Sequence, residues 1–283
     1  MKKLKRVAAI HDISGFGKCS LTVALPIISA AGVEATVLPT AVLSTHTGGF
    51  TDFTYRDLTE DMAPITRHWR SLSIQFDAIY TGFLGSFEQL DLVTQFFETF
   101  KTKDNLILVD PVMADNGEMY SIFTPEFAVG MKHLCEKADI IVPNLTEASL
   151  LLGDPYNPGP YTEEYIENLL KKLSNLGPKK VVLTGVFFND EELGAATYDA
   201  ITGEVDYVFE KRILGHFHGT GDVFGSALLS ALLNDFSLSE SAAIAARFTT
   251  FAIKKTADAG TDVHFGVNFE QCIPAFLKDL RLY

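Results

Sequence analysis

The sequence predicts an α/β fold with three layers: a mainly parallel central sheet, helices on both of its faces, and a small β flap at one side. Two patterns carry this prediction. Short apolar runs alternate along the chain with longer amphipathic ones, and polar or turn-forming residues follow the short runs. Strands separated by helices pair in parallel through right-handed crossovers. A chain of 283 residues fits one large α/β domain over 1–283, and no linker, low-complexity stretch or internal repeat divides it.

VAAI (7–10) reads as the first strand, and a helix over 20–31 follows and ends at Gly32. EATVL (34–38) is the second strand, and the β-formers and Gly48-Gly49 within 33–53 fit the flap. DAIY (77–80), NLILV (105–109), DIIV (139–142) and VVL (181–183) supply further strands. Helical patterns lie between them at 87–100, 125–135 and 163–176, the last closed by Gly177, and Glu147 begins another. Residues 193–211 break the alternation and read as a hairpin around Thr202-Gly203. Beyond Asp222, apolar Val223, Ala227, Ala231 and Leu232 recur at helical spacing as far as Asn234.

Composition narrows the function classes. The formal net charge of −13 argues against a surface that clasps nucleic acid or an anionic membrane, so a bound phosphate must be held locally. The start MKKLKRVAAIHD has a basic n-region, but only four apolar residues precede His11, too few for a secretion signal. No apolar run approaches a membrane span. Cys19, Cys135 and Cys272 lie far apart with no C-x-x-C pair, which suits a reducing cytoplasm and gives no zinc framework.

The strand ends carry the chemistry. His11-Asp12, Thr81-Gly82, Asp110-Pro111, Pro143-Asn144 and Thr184-Gly185 all fall at one edge of the predicted sheet, the carboxyl edge where parallel sheets bind ligands. The run HFHGTGDVFGSALLSALL (216–233) sets two glycines and an aspartate on the first turn of its helix. Backbone N–H groups there are free to hold an anion. Asp222 reads either as a helix cap or as an acid with a chemical task. Ser14, Gly15 and Gly17 in DISGFGKCS read as a tight turn, because the G-x-G-x-x-S spacing lacks the third glycine of a dinucleotide loop. A Walker A loop fails too, since Asp12 stands where its first glycine belongs. His216 and His218 have no zinc-spaced partners and read as loop residues, whereas His46 in the flap reads as a substrate contact or a surface turn. Asp110, Asp115 and Glu147 follow strand ends where carboxylates hold Mg²⁺ through water, although each also reads as a cap or turn former. An anion site, acids for a cation and an acid able to act as base together form a phosphoryl-transfer set.

At these motifs the chain resembles the ribokinase-like kinases. G-T-G-D is their helix-opening signature, and DPVMAD (110–115) with VPNLTEA (142–148) is similar to their vitamin-kinase branch. The stretch from Arg6 to Phe50, above all Ser44-Thr45-His46-Thr47-Gly48, resembles pyridoxal and pyridoxamine kinases, and the likeness runs from Val7 to about Lys255. It implies a ribokinase-like fold and an ATP-dependent kinase acting on the 5'-hydroxymethyl group of a vitamin B6 compound. It assigns Asp222 as base and Gly219, Thr220 and Gly221 as the anion hole. Asp110, Asn144, Thr184, Gly185 and Thr220 would bind nucleotide, and Asp110, Asp115 and Glu147 would serve Mg²⁺. Asp12, Ser14, His46, Thr47 and Phe83 would face the substrate, and the 193–211 hairpin would lie beside the nucleotide. A monovalent cation and a homodimer belong to the same expectation. One departure matters: pyridoxal kinases commonly carry Gln-Ser after the first strand, whereas His11-Asp12 and Ser14-Gly15 resemble hydroxymethylpyrimidine kinases. Hydroxymethylpyrimidine kinase is therefore the second reading. A non-catalytic binding relative is the third, although it would have no need of Asp222 and its glycines.

Overall fold

The computed structural model describes residues 3–283, so the first two residues of the basic start lie outside it. In chain order the elements are β1 (Arg6–Phe16), α1 (Leu21–Ala30), β2 (Glu34–Thr45), β3 (Tyr55–Asp57), α2 (Thr59–Ser71), β4 (Ala78–Thr81), α3 (Phe87–Phe100) and β5 (Leu106–Val109). There follow β6 (Ala114–Asp115), β7 (Glu118–Met119), α4 (Pro125–Cys135), β8 (Ile140–Ile141), α5 (Leu145–Leu152), α6 (Glu163–Ser174) and β9 (Lys180–Val186). The chain ends with β10 (Glu192–Asp199), β11 (Glu204–Lys211), α7 (Thr220–Leu233), α8 (Leu238–Asp258), two single helical turns and α9 (Ile273–Asp279).

Nine strands form one sheet in the order β11-β10-β9-β8-β5-β4-β1-β2-β3. The six strands from β9 to β2 are parallel, and antiparallel pairs close both edges. Strand residues alternate between two cores. Ile79, Ile107 and Ile141 face a cluster built with α2 to α6, while Ala78, Tyr80, Leu108 and Ile140 face one built with α1, α7, α8 and α9. The chain runs from β1 outward to β2 and then returns to β4 on the other side of β1. That reversal opens a crevice beyond the carboxyl ends of β1 and β4.

Two expectations at the first strands are corrected. β1 does not stop at Ile10; it runs on beside β2 through Ser14↔Leu43 to Phe16↔Thr45, with a bulge between His11 and Ile13. Ser14 and Gly15 therefore belong to the strand, and Gly15 lets the partner approach, since a Cβ there would stand 3.2 Å from the Leu43 carbonyl oxygen. The tight turn is shorter and lies at 17–20, with Gly17 at φ +105°. The flap is likewise narrower than 33–53: β2 belongs to the main sheet, and residues 46–54 bridge it to β3.

Candidate active site

α7 begins directly over the crevice. Its N-cap is Gly219, at φ +75°, and no side chain caps it. A Cβ on Gly219 would stand 2.2 Å from the Lys18 carbonyl oxygen, so this glycine is required by the 17–20 turn passing beneath it. Gly221 differs. It is helical, and a Cβ there would meet only the Asp110 carboxylate, at 4.0 Å. Open space therefore lies in front of the helix N-terminus, where unpaired N–H groups and the dipole favour an anion.

Asp222 is not the cap. It stands in the first turn of α7, and its Oδ2 accepts a hydrogen bond from the Ser20 backbone N–H at 2.8 Å. Its Oδ1 faces Nδ1 of His11 at 4.0 Å, with the carboxylate side chain 14% exposed. Burial raises the Asp222 carboxyl to about 7, and nearby Asp12 pushes the same way, against the Ser20 hydrogen bond. Such a group is part-ionised near neutrality and able to exchange a proton. Ser20, which holds it, has φ 56° and ψ −128°, a backbone region other residues leave to glycine.

Two further carboxyls close the crevice from the β5 and β8 side. Asp110 is buried, and burial, then Glu147, then Asp222 drive its carboxyl well above the usual range. Glu147 is pushed up to about 8, chiefly by burial. It also forms a capping box with Asn144 at the start of α5, and its two oxygens accept N–H from Met113 at 3.2 Å and Asn144 at 2.9 Å. Acids gathered in a dry crevice repel one another until a cation joins them. Among the described residues no three His, Cys, Asp or Glu side chains converge on one metal position. Carboxylates so placed could hold a hard divalent cation sparsely, through water. Asp115 sits at the rim, bonded to Asn116, with Nδ1 of His216 4.0 Å away.

Thr184 and Gly185 lie near the end of β9, which runs on to Val186: Thr184 bridges to Asn144, its hydroxyl reaches the Pro143 carbonyl at 3.5 Å, and Gly185 takes φ +78°. Asn144 is already engaged, donating from Nδ2 to the Ala114 carbonyl at 2.9 Å. The Thr220 hydroxyl donates to the Phe217 carbonyl at 3.2 Å.

Asp12 is buried and receives hydrogen bonds from the Ser14 and Ser20 hydroxyls; burial lifts its carboxyl above the ordinary range against both. Ser20 thereby links Asp12 to Asp222. The His46 ring is held by the protein itself. Its Nε2 lies 2.7 Å from the His264 carbonyl and its Nδ1 accepts the Gly48 N–H at 3.1 Å, so both ring nitrogens tie the flap to the protein. Thr47 is exposed on that turn, and Phe83 is half-buried against Phe123. The loop histidines join the flap: the His46 and His216 rings each lie 4.9 Å from that of His218, and His264 lies 5.6 Å from it.

A groove of about 570 Å³ runs between β11 and α8, lined by Lys211, Ile213, Phe251 and Lys254 among others. Lys211 pairs with Glu192, two residues beyond the Gly194–Val186 pair that ends β9, so this end of the groove lies at the same edge of the sheet. Neither this groove nor Ser20 was expected. α8 gave no strand-end signal, and a contact spanning 202 residues leaves no local mark.

The sequence profile of the phosphomethylpyrimidine kinase family matches residues 24–268. A Bacteroides thetaiotaomicron protein crystallised with pyridoxal superposes with a TM-score of 0.93 at 39% identity, over 97% of this chain and 96% of that one. A Lactobacillus plantarum pyridoxal kinase superposes with a TM-score of 0.89 at 31% identity, over 98% of each chain. By sequence the chain is 30% identical to a Bacillus subtilis pyridoxine kinase over 65% of its own length and 66% of that protein. It spans 47% of a Caenorhabditis elegans relative. It is also 29% identical to an Aquifex aeolicus hydroxymethylpyrimidine/phosphomethylpyrimidine kinase, over 62% of this chain and 68% of that one. With a profile match across most of its length and the ribokinase-like sheet described above, the chain belongs to the phosphomethylpyrimidine kinase family.

Proposed function

We propose that this chain, as one kinase domain, transfers the γ-phosphoryl group of ATP to the 5'-hydroxymethyl oxygen of a vitamin B6 compound. The observation that carries the reading is the start of α7, where open space before Gly221 is bordered by Asp222, Asp110 and the anion-ready first turn. Asp222 takes the proton of the substrate hydroxyl, whose oxygen attacks the γ-phosphorus as the bond to the bridging oxygen of ADP breaks. The N–H groups of 219–221 meet the charge that develops on the phosphoryl oxygens. Mg²⁺, held by Asp110 and Glu147 through water with Asp115 at the rim, would neutralise the phosphates. Thr184, Gly185, Asn144 and Thr220 line the phosphate path, and the β11–α8 groove receives the nucleoside.

Asp12, with Ser14 behind it, meets the ring. Thr47 and Phe83 border it, while His46 holds the flap in place. The pyridoxal-bound relative favours B6 as the acceptor. The second reading, a hydroxymethylpyrimidine kinase, is favoured by the family profile and by Asp12-Ser14 on β1. A cytoplasmic homodimer belongs to the proposal, the free cysteines supporting the compartment. Incubation with ATP, Mg²⁺ and a panel of pyridine and pyrimidine alcohols tests the activity, with product phosphate ester measured by mass. Failure to phosphorylate any panel member would sink it.

A further inference from the structure

His11 is fully buried at the carboxyl end of the crevice, and among the described residues neither of its ring nitrogens has a hydrogen-bond partner. Its seat is shaped to the ring. Tyr80 packs edge-on against it with centroids 4.4 Å apart. On the other side Gly82 leaves room, since a Cβ there would stand 2.2 Å from Nδ1. Nδ1 faces Oδ1 of Asp222 at 4.0 Å, while the Ser20 amide already holds Oδ2. A buried polar group left unmatched is costly, so an Nδ1 kept here facing a carboxylate oxygen calls for that oxygen as its partner during function.

We propose that His11 is a positioning residue for Asp222: a neutral imidazole with its proton on Nδ1 that donates to Oδ1 when this carboxylate ionises. Together with the Ser20 amide it fixes the plane of the carboxylate and leaves the remaining lone pairs toward the substrate hydroxyl. A small side-chain movement closes the 4.0 Å gap. The neutral form suits a dry seat, where a charged ring would be penalised. This assignment rests on the reading of Asp222 as the base, so one arm of its test needs no turnover.

Packing and positioning predict opposite orders for two variants. Leucine fills the seat without a donor, whereas asparagine places an N–H near the Nδ1 position at the expense of volume. With ATP and a B6 alcohol, His11→Leu is expected to lower kcat roughly 10- to 100-fold, the scale of a misplaced catalytic group. Both KM values should stay within about threefold, the pattern of an interaction made in the transition state. His11→Asn should restore kcat to within about fivefold of the parent protein. Turnover of His11→Leu at the parent rate, with His11→Asn impaired, overturns the proposal. Independently, long-range ¹H–¹⁵N spectra of the intact protein should show His11 protonated at Nδ1, with a resonance that moves in Asp222→Asn. A bare Nδ1, or one indifferent to Asp222→Asn, overturns the proposal. That spectrum decides the matter even if the parent protein phosphorylates no alcohol, a result that would fell the kinase reading instead.

Discussion

Asp222 shows at the scale of one residue how far sequence reaches. G-T-G-D before an apolar helix marked it as either a cap or an acid with a task, and both readings were legitimate, because aspartate serves each role at that place. The fold separates them through Ser20, 202 positions away, whose amide takes up the carboxylate while Gly219 occupies the cap. Asp222→Asn keeps an acceptor for that amide but no base. It should lower kcat by about 10²- to 10⁴-fold while leaving nucleotide affinity near that of the parent. A near-normal kcat would return Asp222 to a structural role. The pH dependence has a definite sign. Burial lifts this carboxyl from 3.8 to about 7, so the folded protein binds the proton more tightly than the unfolded chain. Its contribution to stability is thus present at low pH and lost as pH rises from about 4 through about 7. Turnover needs the ionised form, so kcat/KM should climb across the same upper range. Asp222→Asn should melt near the parent at pH 4 and above it at pH 8, and calorimetry at the two values checks this.

At the scale of elements, α3 and α4 were legible to the residue, because their apolar period is uninterrupted and Ser86 and Pro125 mark their starts. β2 was not: Pro39 has no N–H to give and reads as an end, yet the strand continues for six residues because its partner β1 continues as well. Pairing between strands, rather than local preference, set that boundary. The first turn of α7 offers a sharper contrast, since two glycines that look equivalent in sequence have different reasons to be glycine. Gly219→Ala meets a positive φ and the Lys18 carbonyl, so it should lower stability by about 1–3 kcal/mol. Gly221→Ala meets only open space before Asp110 and sits in a helix, where alanine gains about 1 kcal/mol over glycine. Its melting temperature should hold or rise while kcat falls at least about tenfold, through loss of close approach by phosphate. Parallel loss of stability and activity in both variants would make the turn merely structural. Across the crevice, Asp110→Asn removes a charge that Glu147 and Asp222 oppose. It should raise the melting temperature in Mg²⁺-free buffer at pH 8, and raise the Mg²⁺ needed for half-maximal rate. A Mg²⁺ dependence equal to the parent's would take Asp110 out of the cation's surroundings.

The whole molecule decides what neither residue nor element can, the choice of ring. The proposed ring site combines the first strand, the flap after β2 and a helical turn near the C-terminus. The flap reaches that turn through His46 and the His264 carbonyl, 218 residues apart, so the match in Ser44-Thr45-His46-Thr47-Gly48 was legible while its mechanical role was not. In sequence the two halves favoured different substrates: the flap favoured pyridine alcohols and Asp12-Ser14 favoured pyrimidine alcohols. His46 is tied to the protein, so on the proposed reading Asp12, oriented by two hydroxyls, is the polar group that meets the ring. A carboxylate accepts from a protonated pyridine nitrogen, a ring hydroxyl or an amino group alike, so Asp12 discriminates little between the two classes. Shape would then discriminate, through a flap whose residues resemble those of B6 kinases. A B6 alcohol should therefore be turned over with kcat/KM at least about tenfold above hydroxymethylpyrimidine, a gap of about 1.4 kcal/mol in transition-state binding. Steady-state kinetics on both alcohols, repeated with His46→Ala, separates the contributions. Loosening the flap should shrink the ratio toward one by lowering the B6 value, with the pyrimidine value changing less. A ratio already near one in the parent protein would mean dual specificity. A reversed ratio would make Asp12 the reader of the ring and the pyrimidine kinase the better description.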